Sequence, residues 1–84
     1  MHTYYFTFGS VTHAQHAVRV LDQHQVPNQM LRTPKELQMQ GCGYSVTVRS
    51  GYFYPAVEAL DRGKCQYRRI YCRMPDGTYT EVRR

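Results

Sequence analysis

Among the residues with chemistry to offer, the three cysteines Cys42, Cys65 and Cys72 come first. Cys42 stands between two glycines in Gly41-Cys42-Gly43. Flanking glycines remove steric cover and permit unusual backbone angles, so a thiol placed there is reachable by the active site of another protein. The thiolate is the reactive form, so the surroundings of the sulfur decide what it does. An inert cysteine in a tight turn is the plainer reading, and the residues alone leave both open. An odd number of cysteines without close pairing argues against a secreted disulfide framework. No CxxC spacing occurs, so zinc-ribbon and thioredoxin signatures are absent and reduced thiols are expected.

A second chemistry lies in the charge. Residues 1–61 carry four basic and four acidic side chains, whereas residues 62–84 carry seven basic and two acidic ones, so the whole excess of +5 falls in the last quarter. Such asymmetry points to an anionic partner, with nucleic acid the usual one, although a small domain also carries arginines for solubility. Alternation over Tyr67–Met74 sets Tyr67, Arg69, Tyr71 and Arg73 on one face, with Tyr5, Thr47 and Arg49 across the sheet. Aromatics interleaved with arginine resemble the stacking platform of RNA-binding sheets. The segment Gln40–Thr47 keeps only the glycines and one aromatic of that signature. A dimer interface or a solvated face fits the same residues.

Other chemistries find little support. Only His13 and His16 stand at ligand spacing on one helix, and nothing nearby completes a metal site. Paired carboxylates, a serine-nucleophile motif and a phosphate-cradling glycine loop are missing, which argues against hydrolase or kinase chemistry. Neither a metal nor a cofactor is expected.

The elements that must position these residues follow from periodicity. Thr3–Phe8 alternates as a strand, with Tyr4, Phe6 and Phe8 on one face. Ser10 is a helix N-cap, and Val11, Ala14, Ala17, Val18 and Leu21 then recur at helical spacing. Val26–Arg32 reads as a second strand, placed at an edge by Pro27. Thr33-Pro34-Lys35-Glu36 reads as a capping box opening a short helix that Gly41 stops. Tyr44–Arg49 is a third strand, and Phe53, Ala56, Val57 and Leu60 mark a second helix with Pro55 near its start and Gly63 at its end. Tyr67–Met74 is the fourth strand. A Pro75-Asp76-Gly77 turn and a polar basic tail follow, strand-like from Thr78 to Val82.

Strand, helix, strand, strand, helix, strand is the order of an α+β ferredoxin-like βαββαβ sandwich. Its four-stranded antiparallel sheet carries two helices on one face and leaves the other open, or buried in a homodimer. Strands one and three are central neighbours, so Cys42 is expected near Gly9 and Ser10. There the positive end of the first helix and His13 would favour a thiolate. Cys72 alternates toward the helices and is expected in the core. Cys65 is expected at the opposite end of the sheet from Cys42, without a disulfide to it.

Eighty-four residues make one domain, with a core over about 3–74 and a tail over 75–84. No apolar run approaches the length that crosses a bilayer, and Met1–Tyr5 reads as a strand start rather than a signal segment. A cytoplasmic, non-membrane protein is the expectation.

The segment Thr33-Pro34-Lys35-Glu36-Leu37, followed by Gly41-Cys42-Gly43, resembles the hallmark of the selenium/sulfur (Se/S) carrier protein-like family. Tyr4–Phe8, the helix with Ala14 and Ala17, and the Val26-Pro27 turn share the resemblance, which reaches to about Tyr71. It implies that Cys42 accepts sulfur or selenium as a persulfide or selenosulfide, with Gly41 and Gly43 shaping the loop and Lys35 in the place of a basic residue. It also implies a sulfur or selenium donor protein, such as a persulfide-forming enzyme, as partner. The basic, tyrosine-rich tail departs from the family pattern.

Overall fold

The computed structural model describes residues 2–38 and 43–83. Their elements are β1 (Thr3–Phe8), α1 (Val11–Gln23), β2 (Gln29–Arg32), β3 (Tyr44–Arg49), α2 (Phe53–Arg62), β4 (Arg69–Arg73) and β5 (Tyr79–Val82), with single 3-10 turns at Lys35–Leu37 and Ser50–Tyr52. The strands form one antiparallel sheet in the order β2-β3-β1-β4-β5. β1 and β3 are neighbours and β2 is an edge strand, as expected, but β2 starts at Gln29 rather than Val26 and leaves Pro27 outside the ladder.

The sheet has five strands rather than the expected four. The tail joins it because the turn before it is tightly closed. Met74 N–H donates to Thr78 O at 2.7 Å, and Gly77 N–H donates to Met74 O at 2.9 Å. Gly77 adopts φ +91°, where a side chain would be strained. The Asp76 carboxylate accepts from the Thr78 hydroxyl (2.7 Å) and N–H (3.0 Å), which together hold its pKa below the usual carboxylate range. Val82 packs against the core, so the core reaches past residue 74.

The main core lies between the helices and one face of the sheet. Phe6, Phe8, Leu21, Val46 and Leu60 are all 2% exposed or less there. Ser10 caps α1 as expected, its Oγ accepting from His13 N–H at 3.2 Å. Pro55 is the third residue of α2, inside the first turn, where no intrahelical donor is required.

Both helices end alike. After α1, Gln25 N–H donates to Asp22 O (3.0 Å) and Val26 N–H to Leu21 O (2.9 Å). After α2, Lys64 N–H donates to Asp61 O (3.1 Å) and Cys65 N–H to Leu60 O (2.9 Å). These are paired Schellman bonds, and Gln25 and Lys64 take the left-handed position at φ 58° and 55°. Gly63 therefore stops α2 without entering left-handed space. Its φ is −79°, and a Cβ there would lie 2.9 Å from Val20 Cγ2, so closeness between the helices requires the glycine.

The other face is not fully open. Cross-strand partners place Tyr5, Thr47 and Tyr71 in one row, and Thr7, Ser45 and Leu31 in the next. Ser45 is 0% exposed, and Tyr5 and Thr47 are buried as well. The segment after β2 returns as a strap over this face. Thr33 Oγ1 meets Ser45 Oγ at 2.8 Å, and Leu37 is buried outside the helix-side core. Glu36 acts electrostatically on Tyr79, whose ring meets Tyr5 edge-on at 5.5 Å. Thr33 thus does not cap the 3-10 turn. Pro34 holds the cap position and has no polar side-chain atom to offer, while the Thr33 hydroxyl is engaged by the sheet.

Candidate functional site

Cys42 and Gly41 lie outside the described residues. Their neighbour Gly43 is held by β-pairing, with Thr33 N–H donating to Gly43 O at 3.1 Å. Gln38 is tied to the same strand end, its Nε2 donating to Thr33 O at 2.7 Å. Tyr44 pairs with Phe8, so β3 begins at the end of the sheet where β1 runs through Gly9 and Ser10 into α1.

That end carries a cleft of about 400 Å³ lined by Gly9, Ser10, His13, Gln66, Tyr67 and Arg68. Ser10 and His13, the expected thiolate supports, are both in it. Arg68 is a residue that periodicity did not single out. A Cβ on Gly9 would stand 2.8 Å from Arg68 Nε, so the glycine admits the guanidinium close to the entrance of α1. The pairing of Arg68 N–H with Thr7 O (2.8 Å) and of Arg69 N–H with Thr7 Oγ1 (3.2 Å) brings these distant segments together. Lys35 is exposed on the strap side of the sheet, whereas Ser10 and His13 belong to the helix side. The three do not converge.

The other two thiols are interior. Cys65 and Cys72 are both free and buried. Cys72 faces the helix side, as expected from alternation, beside the hydroxyl of Tyr4. Burial, and then the Cys72 thiol, raise the Tyr4 pKa above the usual phenol range. Burial likewise pushes the Cys65 thiol up. The expected position of Cys65 is corrected by the register. Arg69 pairs with Thr7 and Tyr44 with Phe8, so β3 and β4 begin at the same end, and the chain from Cys65 leads into it. Cys65 packs in the main core as the residue that closes the α2 Schellman turn, the place Val26 fills after α1.

The tyrosine–arginine face is reduced. Tyr67 lies on the helix side, its ring edge-on to Phe6 at 5.3 Å, because β4 starts only at Arg69 and the alternation does not extend back to it. Arg69 pairs with Glu81 at 3.3 Å. Tyr71 is half-buried and Arg73 exposed on the strap side. A continuous aromatic platform is therefore absent from the described residues.

The histidines serve the helices. His24 Nδ1 donates to Val20 O at 2.9 Å, and His16 Nε2 donates to Gly63 O at 3.1 Å. Among the described residues no three His, Cys, Asp or Glu side chains stand within reach of one metal ion. No helix among them is long and apolar enough to cross a membrane.

The sequence model of the family described as "Putative Se/S carrier protein-like" matches residues 3–72. The chain belongs to this family. The Se/S carrier-like match spans β1 to β4 together with the strap and Gly41-Cys42-Gly43, and ends before β5. No curated protein and no solved structure matches the chain.

Proposed function

We propose that this protein carries sulfur or selenium on Cys42 and acts with a donor protein rather than turning over a substrate alone. The observation that carries the reading is the family match, which spans Gly41-Cys42-Gly43. The burial of Cys65 and Cys72 supports it, since neither is presented to a partner. In the proposed step the Cys42 thiolate attacks the terminal sulfur of a donor persulfide. A new S–S bond forms at Cys42, the donor S–S bond breaks, and the donor cysteine leaves as a thiolate. The two sides balance without an external oxidant. Selenium loading would give a selenosulfide by the same displacement, from a donor perselenide whose S–Se bond breaks as its cysteine leaves as a thiolate. Arg68 and the start of α1 would stabilise negative charge at this end of the sheet, with Ser10 and His13 lining the approach.

The strand order β2-β3-β1-β4, with helices after β1 and β3, supports reading the domain as a ferredoxin-like sandwich extended by β5. The test is intact mass and peptide mapping after incubation with a persulfide or perselenide (Cys–S–SeH) donor. A reducible adduct confined to Cys42, lost in Cys42→Ser and kept in Cys65→Val and Cys72→Val, is expected. Equal loading of all three thiols, or none at Cys42, removes the reading.

A further inference from the structure

At the end of the sheet away from Gly43, three strands set two arginines around one hydroxyl. Thr3 of β1 pairs with Arg49 of β3 on one side and with Arg73 of β4 on the other. Residues directly opposite in a sheet share a face, so Arg49, Thr3 and Arg73 stand side by side on the strap face. Adjacent strands are about 4.8 Å apart, which sets the two arginine backbones roughly 10 Å from one another. Both side chains are long enough to converge above Thr3.

Three other described arginines near the sheet are engaged. Arg69 pairs with Glu81, Arg32 stacks over Tyr44 at 5.5 Å, and Arg68 packs against Gly9. Arg49 and Arg73 are exposed, and among the described residues neither takes part in an ion pair. Of the carboxylates on this face, Glu81 is paired with Arg69, and Glu36 on the strap acts on Tyr79, the cross-strand partner of Arg73, which acts on the same phenol with the opposite sign. Two like charges flanking Thr3 repel each other weakly at this separation, and a bound anion between them would attract both.

The backbone holding them is well fixed. Ser50 N–H donates to His2 O at 3.0 Å just beyond Arg49, and the closed β4–β5 turn follows Arg73. Thr3 and Arg49 also line a cleft of about 510 Å³, together with Gln29, Thr47 and Tyr52. Its volume suits a small molecule, and its lining mixes the polar groups of Thr3, Gln29, Thr47 and Arg49 with Val48 and Tyr52, while Arg73 stands across Thr3 from it.

We propose that Arg49, Thr3 and Arg73 bind the phosphate of a small phosphomonoester whose remainder lies in the cleft beside Tyr52. Two guanidinium forks and a hydroxyl match the three terminal oxygens of a phosphate better than the two of a carboxylate. The partial burial of this face and the turning of Tyr67 to the helix side remove the run of exposed rings that a nucleic-acid strand would need. The site stands independently of Cys42 and goes beyond the carrier reading.

Titration of the full chain at low salt, followed by amide NMR, tests it with phenyl phosphate, inorganic phosphate and benzoate. Phenyl phosphate is expected to saturate shifts at Thr3, Arg49, Arg73 and Tyr52, more tightly than inorganic phosphate or benzoate. Arg49→Gln and Arg73→Gln should each weaken it about tenfold, since each removes a charge-assisted hydrogen bond to the phosphate. Arg62→Gln, on the exposed face of α2, should leave it unchanged. Non-saturating shifts, equal affinity for benzoate, or insensitivity to both arginine variants overturns the proposal. So does a single-stranded RNA that binds more tightly than phenyl phosphate with a steep salt dependence.

Discussion

Thr33 Oγ1 and Ser45 Oγ lie 2.8 Å apart, both residues are buried, and this contact ties the strap to the middle of the sheet. Breaking one side leaves the other hydroxyl without a partner. Thr33→Val or Ser45→Ala should each cost about 1–3 kcal/mol, and the double variant less than the sum. Denaturant unfolding of the four proteins measures this. Additive losses would mean that the hydroxyls do not interact.

Leu37 extends the same anchor. It is 4% exposed, yet it lies outside the helix-side core. Leu37→Ala should cost about 2–3 kcal/mol, at the lower end for a buried leucine because a peripheral segment relaxes easily. Amide exchange should quicken at Tyr5 and Thr47, whose side chains share that face, more than at Phe6 and Val46. Uniform exchange across both faces would show that the strap does not protect its own face.

Cys65 is a packing residue, so Cys65→Val should stay within about 1.5 kcal/mol of the parent. In the native protein, alkylation of Cys65 should be slow and should quicken on unfolding. Its pKa is raised by burial, so the folded state holds the thiol proton more tightly than the unfolded chain. That contribution is fully present below the unfolded thiol pKa and is lost as pH rises through the folded one. The parent should therefore lose more stability than Cys65→Val in mildly alkaline solution. Identical pH profiles would refute the assignment.

Two glycines that approach side chains equally closely should respond differently to alanine. At Gly63 the added Cβ meets both methyls of Val20 at 2.9 and 3.0 Å, in a core side chain with little room. At Gly9 it meets the guanidinium of Arg68, the far end of a flexible chain. Gly63→Ala should cost about 1–3 kcal/mol, and Gly9→Ala about 0.5 kcal/mol or less. Thermal unfolding distinguishes them, and the reverse ranking would refute the packing account.

Lys64 and Gln25 hold left-handed positions that glycine adopts without strain. Replacing each by glycine should stabilise the protein by up to about 1 kcal/mol, read as a higher unfolding midpoint. A lower midpoint for both would show that these side chains contribute more than the relieved strain.

Much of the scaffold was legible in the residues themselves. Alternation in Thr3–Phe8 and Tyr44–Arg49, the helical stripe around Ala14 and Ala17, and the Ser10 cap are local, because backbone geometry imposes their periods. The short motif around Cys42 was readable for a similar reason, since its residues are adjacent in the chain. β2 is an edge strand, as expected from Pro27, but it begins at Gln29, so the proline stands before the ladder rather than in it.

What covers the second face was decided only by tertiary structure. Periodicity shows which side of a strand is apolar, but Tyr5, Thr47 and Ser45 are buried by a strap whose own residues read as a capped helix. Thr33 had a local partner in its capping box and a distant one in Ser45, and the buried hydroxyl pair prevailed. Tyr67 turned to the helix side because β4 begins two residues later, where pairing to Thr7 starts. The placing of Arg68 at Gly9, and of Arg49 and Arg73 around Thr3, likewise depends on register between segments far apart in the chain. Such contacts leave no period in the sequence, because they form only once the strands have paired.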